Sequence, residues 1–257
     1  MNPSPYHAPF TSAHFRATIV KILLIAGAVV TGLYLLVETL SLAFPPLSSG
    51  EAPGENPMGV LVVLAIFLLA VFSLIIYVPT VIFFCVWLYR AYDNLRAFNQ
   101  WSRPEYSPGW AVGSFFVPFV NLVVPYRAVR ETWQKSRTAE EAHLFEPSPP
   151  ASFPVWWTFW LLACFAGNIS MRAGFNDRVP ESAATILSII ASGLSVVAAV
   201  FAYVVVVDTV DKQQEETSQK LKLGAFPLPP PPPANLPPSD AGTPLPIPNN
   251  PQSEVQV

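Results

Sequence analysis

Charge is scarce in this sequence. Lys, Arg, Asp and Glu make up 12% of its 257 residues, against roughly 25% in soluble domains. A soluble chain of this size needs charge to cover its surface, so the sequence reads as one that meets lipid. The net charge of -3 carries no basic footprint for nucleic acid. Cysteine is nearly absent. Cys85 and Cys164 each fall inside an apolar run and form no CxxC pair. They read as small buried hydrophobes, not as a zinc or redox site. The three histidines, His7, His14 and His143, are scattered without partners at ligand spacing. No Ser/His/Asp set, HExxH or Gly-rich phosphate loop occurs. The reading therefore assigns no catalytic residue, no metal and no cofactor, and the chain is not expected to be an enzyme.

What is present is apolar length. A membrane-spanning helix needs about 20 mostly apolar residues to cross a hydrocarbon core about 30 Å thick. Ile22 to Phe44 meets this, interrupted only by Glu38 near its far end. Met58 to Tyr89 exceeds it, with Pro79 inside, where a lost backbone donor predicts a tilt or kink. Ala183 to Val207 is a third run. Phe153 to Met171 is shorter and opens with Trp156, Trp157 and Trp160, rings that favour the headgroup interface. The first run is longer than a signal-peptide core and follows a long, weakly basic segment, so it reads as a retained helix.

A fifth run, Gly109 to Pro125, reads GWAVGSFFVPFVNLVVP. A helix there would break near Pro118. Each half would be about 10–12 Å long, enough to reach about halfway into the core and return. Broken backbone at that depth requires protein or water to satisfy it.

Lys and Arg decide between the topologies, because cytoplasmic loops carry them in excess. With the fifth run not crossing and the N-terminus inside, Arg16, Lys21, Arg90, Arg96, Arg103, Arg127, Arg130, Lys135, Arg137, Lys212, Lys220 and Lys222 are cytoplasmic. Only Arg172 and Arg178 lie outside. If the fifth run crosses, the bias vanishes. The expected fold is thus all-α, a polytopic membrane helical bundle. It has four transmembrane helices, about 20–44, 58–89, 153–171 and 183–207, plus a proline-broken re-entrant or interfacial segment at 109–125. Both termini are expected in the cytoplasm. Residues 1–17 are read as an unstructured N-terminus, 18–210 as the membrane domain and 211–257 as a cytoplasmic tail. The loop Pro45 to Pro57, with Glu51 and Glu55 but no Lys or Arg, fits an outside position.

WLYRAYDNLRAF, Trp87 to Phe98, should continue the second helix out of the membrane, with Asp93 three residues from both Arg90 and Arg96. PYRAVRETW, Pro125 to Trp133, reads as an interfacial amphipathic helix within 125–137. Proline suits its first turn, Arg127 and Glu131 are four apart, and Val129 and Trp133 share the other side. Together with SPGWAVGSFFVPFVNLVVPYRAVRETW, this block resembles an uncharacterised family of bacterial integral membrane proteins, domain of unknown function 4328. The resemblance covers about Trp87 to Trp133 and the general layout of the spans. It implies a bacterial membrane location and no particular activity.

Asn121 is a candidate ligand contact at the tip of the broken segment, set against a local role bonding free backbone beside Pro118. Arg90, Asp93, Asn94, Arg96, Arg127 and Arg130 are the other candidate ligand or lipid contacts. The basic cluster, with Arg103, Lys135 and Arg137, suits anionic lipid headgroups and also sets topology. Glu38 reads as interfacial, Asp208 and Asp211 as a solvated helix end, and Asn168 as interfacial. From about Leu223 the chain is proline-rich low complexity (PLPPPPPANLPP), expected to be disordered spacer or a docking segment for a protein partner. The leading functional expectation is a non-enzymatic membrane scaffold or interaction protein whose partners are the bilayer, anionic headgroups or another protein. The alternative is a small transporter or channel component using the re-entrant segment. An enzyme would have only Asp93 with Glu131 as an acid–base pair.

Overall fold

A computed structural model describes residues 10–44, 57–98, 104–137 and 150–222. The Pro45–Pro57 loop up to residue 56, Arg103, His7, His143 and the tail from Leu223 lie outside the described residues. Among the described residues the chain is helical, with no strand.

Helix α1 spans His14–Ala43 and α2 spans Pro57–Asp93. A short α3, Leu95–Phe98, follows a one-residue break at Asn94. α4 is Pro108–Gly113, and two 3-10 turns, Ser114–Phe116 and Val120–Leu122, lead to α5, Val124–Lys135. α6 is Ser152–Gly174 and α7 is Glu181–Phe201. A π-helical turn, Ala202–Val207, joins α7 to α8, Asp208–Lys222.

Among the described residues three helices are long and apolar enough to cross a membrane: α1, α2 with α3, and α7. α6 has 23 residues, but its three tryptophans, Asn168 and Ser170 dilute its apolar character. It packs closely against α7, α7 packs on α1, and α1 packs on α2. Over most of their length these helices expose their side chains, among them Val63, Phe67, Leu74 and Ile75 of α2. This is what a bundle solvated by lipid requires. α2 continues through Pro79, and the Thr80 hydroxyl donates to the Ile76 carbonyl at 2.7 Å beside it.

The packed core sits at one end of the bundle, the end that holds Lys21, Trp87 and Asp208. At 37 residues, α2 is about 55 Å long, far more than hydrocarbon needs. Its last turns, Trp87, Leu88, Ala91 and Tyr92, are buried in a head made by α3, α4, α5 and α8. Val129, Trp133, Phe153, Trp156, Trp157, Val206, Val207 and Val210 complete that core with Ala13, just before α1, and Ala17 and Val20 of α1.

Three expectations change here. Ordered structure begins before residue 18, because Ala13 and Ala17 are fully buried against the head. The tail expected at 211–257 begins as helix through Lys222, because α8 docks one stripe, Val210, Asp211, Gln214, Thr217 and Ser218, on α1, α2 and α5. That stripe is almost entirely polar, so no apolar periodicity announced it. And α5, expected as an amphipathic helix at the interface, packs its inner side into protein. Ala128, Val129, Glu131, Thr132, Trp133 and Ser136 are all buried, which makes α5 the hub between α2, α3, α4, α6 and α8.

Candidate functional site

The proline-broken segment folds as a hairpin. Ser107 caps α4 by accepting from the Trp110 amide at 3.1 Å, and Pro108 occupies the first turn, where its missing N–H costs nothing. The descending arm ends at Phe116. The chain then reverses in a three-residue turn: the Val120 amide donates to the Pro118 carbonyl at 2.8 Å, with Phe119 between them at φ 64°. The Asn121 amide donates to the Val117 carbonyl at 3.0 Å. The Asn121 side chain is half-buried. Pro125 lies in the first turn of the returning helix α5.

The hairpin is wedged between α2 and α6. At its open end, Tyr92 and Leu95 of α2 and α3 cluster with Ala111 and Ala128. Farther along, Phe115 meets Phe84 of α2 (5.9 Å between ring centroids) and Trp157 and Trp160 of α6 (6.3 and 6.1 Å). Phe84 stands eight residues before Tyr92, about 12 Å back along α2. The hairpin therefore runs alongside α2 toward the middle of the bundle. Trp157 Nε1 donates to the Leu122 carbonyl at 3.1 Å, a backbone group of the returning arm. The tip is apolar and open: Phe119 is 86% exposed and Phe116 67% exposed. Trp156 and Trp157, expected to face headgroups, are instead buried against this assembly, because the hairpin and α2 cover them.

Polar chains hold the head together. The Glu131 carboxylate accepts from Lys135 at 2.6 Å, from the Glu105 amide at 2.7 Å and from the Tyr92 hydroxyl. The Tyr92 hydroxyl in turn accepts from the Tyr106 amide at 2.9 Å. This fixes the loop that launches the hairpin. Asn94 and Gln214 form a second chain, joined to Ala91, Ser136 and the backbone of Thr11. His14 and Lys21 of α1 form a third with α8: His14 lies 2.8 Å from Asp211, and Lys21 2.9 Å from Asp208. Lys212 also reaches Asp208, at 2.7 Å. Asp211 is buried, not solvated as expected, and that burial pushes its carboxyl above the usual range against the pull of His14. Burial acts the same way on Asp208, but Lys212 and Lys21 outweigh it and hold this carboxyl below the usual range.

The candidate contacts are not gathered into one place. Asp93 pairs with Arg90 at 3.1 Å and with Arg96 at 3.9 Å, as their spacing implied. Asn94 is buried in the second polar chain, where it bonds the Thr11 backbone and Gln214. Asn121 is at the hairpin tip. Arg127 and Arg130 are exposed on the outer face of α5, with Arg127 beside Tyr106. Arg137 lies over the Trp133 ring at 4.6 Å. Asp93 and Glu131 each have cationic partners of their own. Among the described residues no group of His, Cys, Asp and Glu could hold a metal ion.

A further polar group sits elsewhere than its sequence position suggested. Glu38 was expected at the interface, yet it is only 6% exposed, between α1 and α7. The Tyr34 hydroxyl donates to its Oε1 at 2.7 Å, and the Ser188 hydroxyl reaches its Oε2 at 3.0 Å. Tyr34 and Glu38 are four apart, a spacing visible in the sequence, but Ser188 is 150 residues away. Asn168, by contrast, is exposed and bonds the Cys164 carbonyl of its own helix.

Apolar helices exposed along their length, with a packed head at one end, define a helical membrane protein. The chain belongs to the family described as domain of unknown function 4328 (DUF4328), which matches residues 60–211. That range takes in nearly all of α2, with α3, the hairpin, α5, α6 and α7, and ends in the first turn of α8. No curated protein and no solved structure matches the chain.

Proposed function

We propose that this protein is a non-enzymatic scaffold or interaction protein of the bacterial cytoplasmic membrane, built on four spans with both termini in the cytoplasm. The observation that carries the reading is the hairpin tip. Phe116 and Phe119 are exposed on a reversed segment that runs beside α2 and α6 toward the middle of the bundle. Large exposed rings at that level suit hydrocarbon, so the segment reads as re-entrant. α6 counts as the fourth span because it runs alongside α7, and because the Lys and Arg distribution then places twelve of fourteen on one side.

On this reading the head lies at the cytoplasmic leaflet, and Arg127 and Arg130 face anionic headgroups, with Arg96 beside them in function. The proline-rich tail supplies a protein-docking segment. The direct test is lipid and partner co-purification from native membrane. Wild-type protein should retain anionic lipid, and Arg127→Gln with Arg130→Gln should lose most of it. Unchanged lipid and partner recovery after both this charge neutralisation and deletion of the tail would reject the reading. A second reading, a small transporter or channel component, draws support from Glu38, a polar group buried within the bundle, rather than from Asn121.

A further inference from the structure

Glu38 is buried between α1 and α7, toward the end of the bundle opposite the head. Lys21 and Asp208 mark the head end of the α1–α7 pair. Glu38 is seventeen residues from Lys21 along α1, about 25 Å away, inside a hydrocarbon layer about 30 Å thick. More than a turn of α1 follows it, carrying the exposed side chains of Leu40, Leu42 and Phe44.

Among the described residues no Lys, Arg or His pairs with the carboxyl; Arg172 and Arg178, near the end of α6, make no ion pair with it. α2 carries no Lys, Arg, His, Asp or Glu from Met58 to Ile76, and α7 carries none from Ser182 to Phe201. Tyr34 is the titratable group on its own helix within reach. Glu181, at the start of α7, is seven residues from Ser188, about 10 Å away. Ser41, one turn on, donates to the Val37 carbonyl at 2.9 Å. An unpaired carboxylate in such surroundings is costly.

The three side chains form a triangle. Its sides are Tyr34 to Glu38 Oε1 at 2.7 Å, Ser188 to Glu38 Oε2 at 3.0 Å, and Tyr34 to Ser188 at 3.2 Å. With the carboxylate ionised, both hydroxyl protons point at it, and no proton remains for the Tyr34–Ser188 side. Adding one proton closes the ring. The carboxyl O–H on Oε2 donates to Ser188 Oγ, the Ser188 hydroxyl donates to Tyr34 Oη, and the Tyr34 hydroxyl donates to Oε1. Each group then donates once and accepts once.

We infer that Glu38, Tyr34 and Ser188 form a binding site for a single proton within the membrane. The proton binds and leaves at the Glu38 carboxyl, and the two hydroxyls reorient with it across the α1–α7 contact. The inference stands apart from the headgroup reading, which concerns the other end of the bundle.

A hydrophobic carbodiimide tests it, because such reagents react with a carboxyl only in its protonated form. Full-length protein in lipid nanodiscs is labelled across a pH series, and the adduct is mapped by mass spectrometry. The expected result is an adduct on Glu38 at neutral pH. It should fall about tenfold per pH unit above the midpoint and be absent in Glu38→Gln. Ser188→Ala and Tyr34→Phe each remove a donor to the anion, so about tenfold more label should persist at alkaline pH. Far-ultraviolet circular dichroism confirms that each variant is folded. An unmodified Glu38 at every pH in folded protein overturns the site. Protection by sodium chloride at fixed pH overturns the proton in favour of a metal cation. Labelling that neither hydroxyl variant moves overturns the three residues as a unit.

Discussion

Asn94 and Gln214, 120 residues apart, meet side chain to side chain: Asn94 Nδ2 donates to Gln214 Oε1 at 3.1 Å. Gln214 Nε2 donates to the Ala91 carbonyl at 2.8 Å and to Ser136 Oγ at 3.0 Å. Ala91 is among the last carbonyls of α2, which lack partners within their own helix. Asn94 also exchanges bonds with the Thr11 backbone, at 3.0 and 3.3 Å. One amide pair therefore closes the end of α2 and fixes α5, α8 and the start of the chain to it. Gln214→Leu keeps the volume and removes the bonds. Each buried group left unsatisfied costs about 1–3 kcal/mol, so the variant should melt clearly lower in detergent, with α8 the first helix to lose amide-exchange protection. An unchanged melting temperature would show that water replaces the amide freely.

Phe119 holds a backbone conformation that L side chains rarely adopt, at φ 64°. Such a position costs about 1–2 kcal/mol relative to glycine. Phe119 is 86% exposed, so in detergent its ring returns little packing. Phe119→Gly should stabilise detergent-solubilised protein by about 1 kcal/mol, read as a higher melting temperature. In a bilayer the same change removes an apolar anchor. Quenching of a fluorophore at position 116 by lipid-borne quenchers should then fall. If Phe119→Gly lowers stability in both settings, the ring is packed and not free.

The pairs that join α1 to α8 make stability depend on pH in two opposite ways. Asp208 is held below the usual carboxylate range, so the folded state binds its proton less readily than the unfolded chain. Its contribution is present above the ordinary carboxylate value and is lost as pH falls toward the lowered one. Asp211 is raised by burial, so the folded state keeps its proton longer, and stability declines as pH rises from the ordinary value through the raised one. Asp208→Asn should flatten the acid limb of a melting-temperature profile, and Asp211→Asn should flatten the next segment above it. The Asp208 pair is partly exposed, so salt should weaken its limb first. Identical profiles for wild type and both variants would refute the assignment.

Local pattern made the long elements legible. Apolar runs located α1, α2 and α7, though α1 starts several residues before its run, and Pro125 marked the start of α5. The break after Phe116 followed from Pro118, whose ring cannot continue a helix. What was hidden depends on distance in sequence. α8 has no apolar stripe, because Gln214, Thr217 and Ser218 are buried by hydrogen bonds and not by hydrophobic contact. Glu38 looked like a helix end because its second partner, Ser188, lies on α7 and has no reason to stand out. Asn94 looked available because a short polar residue at a helix break is usually solvated; Gln214 closes that access.

Trp157 joins the hairpin to α6 in two ways that one substitution separates. Its ring packs on Phe115, Tyr126 and Trp160, stacking on the last at 4.6 Å. Its Nε1 donates to the Leu122 carbonyl, in the short turn just before α5. Trp157→Phe keeps an aromatic ring and deletes the donor. The Leu122 carbonyl then lacks its indole partner, at about 1–3 kcal/mol. Because this bond holds one arm of a hairpin and not a whole helix, the loss should appear locally. Amide exchange at Val120 to Val123 should quicken by about tenfold or more, since each 1.4 kcal/mol is about a factor of ten, while exchange in α7 stays unchanged. Trp157→Ala should instead open the aromatic cluster, at about 3–5 kcal/mol, and lower the melting temperature of the whole head. If both variants behave alike, the ring alone seats the hairpin and the indole bond contributes nothing.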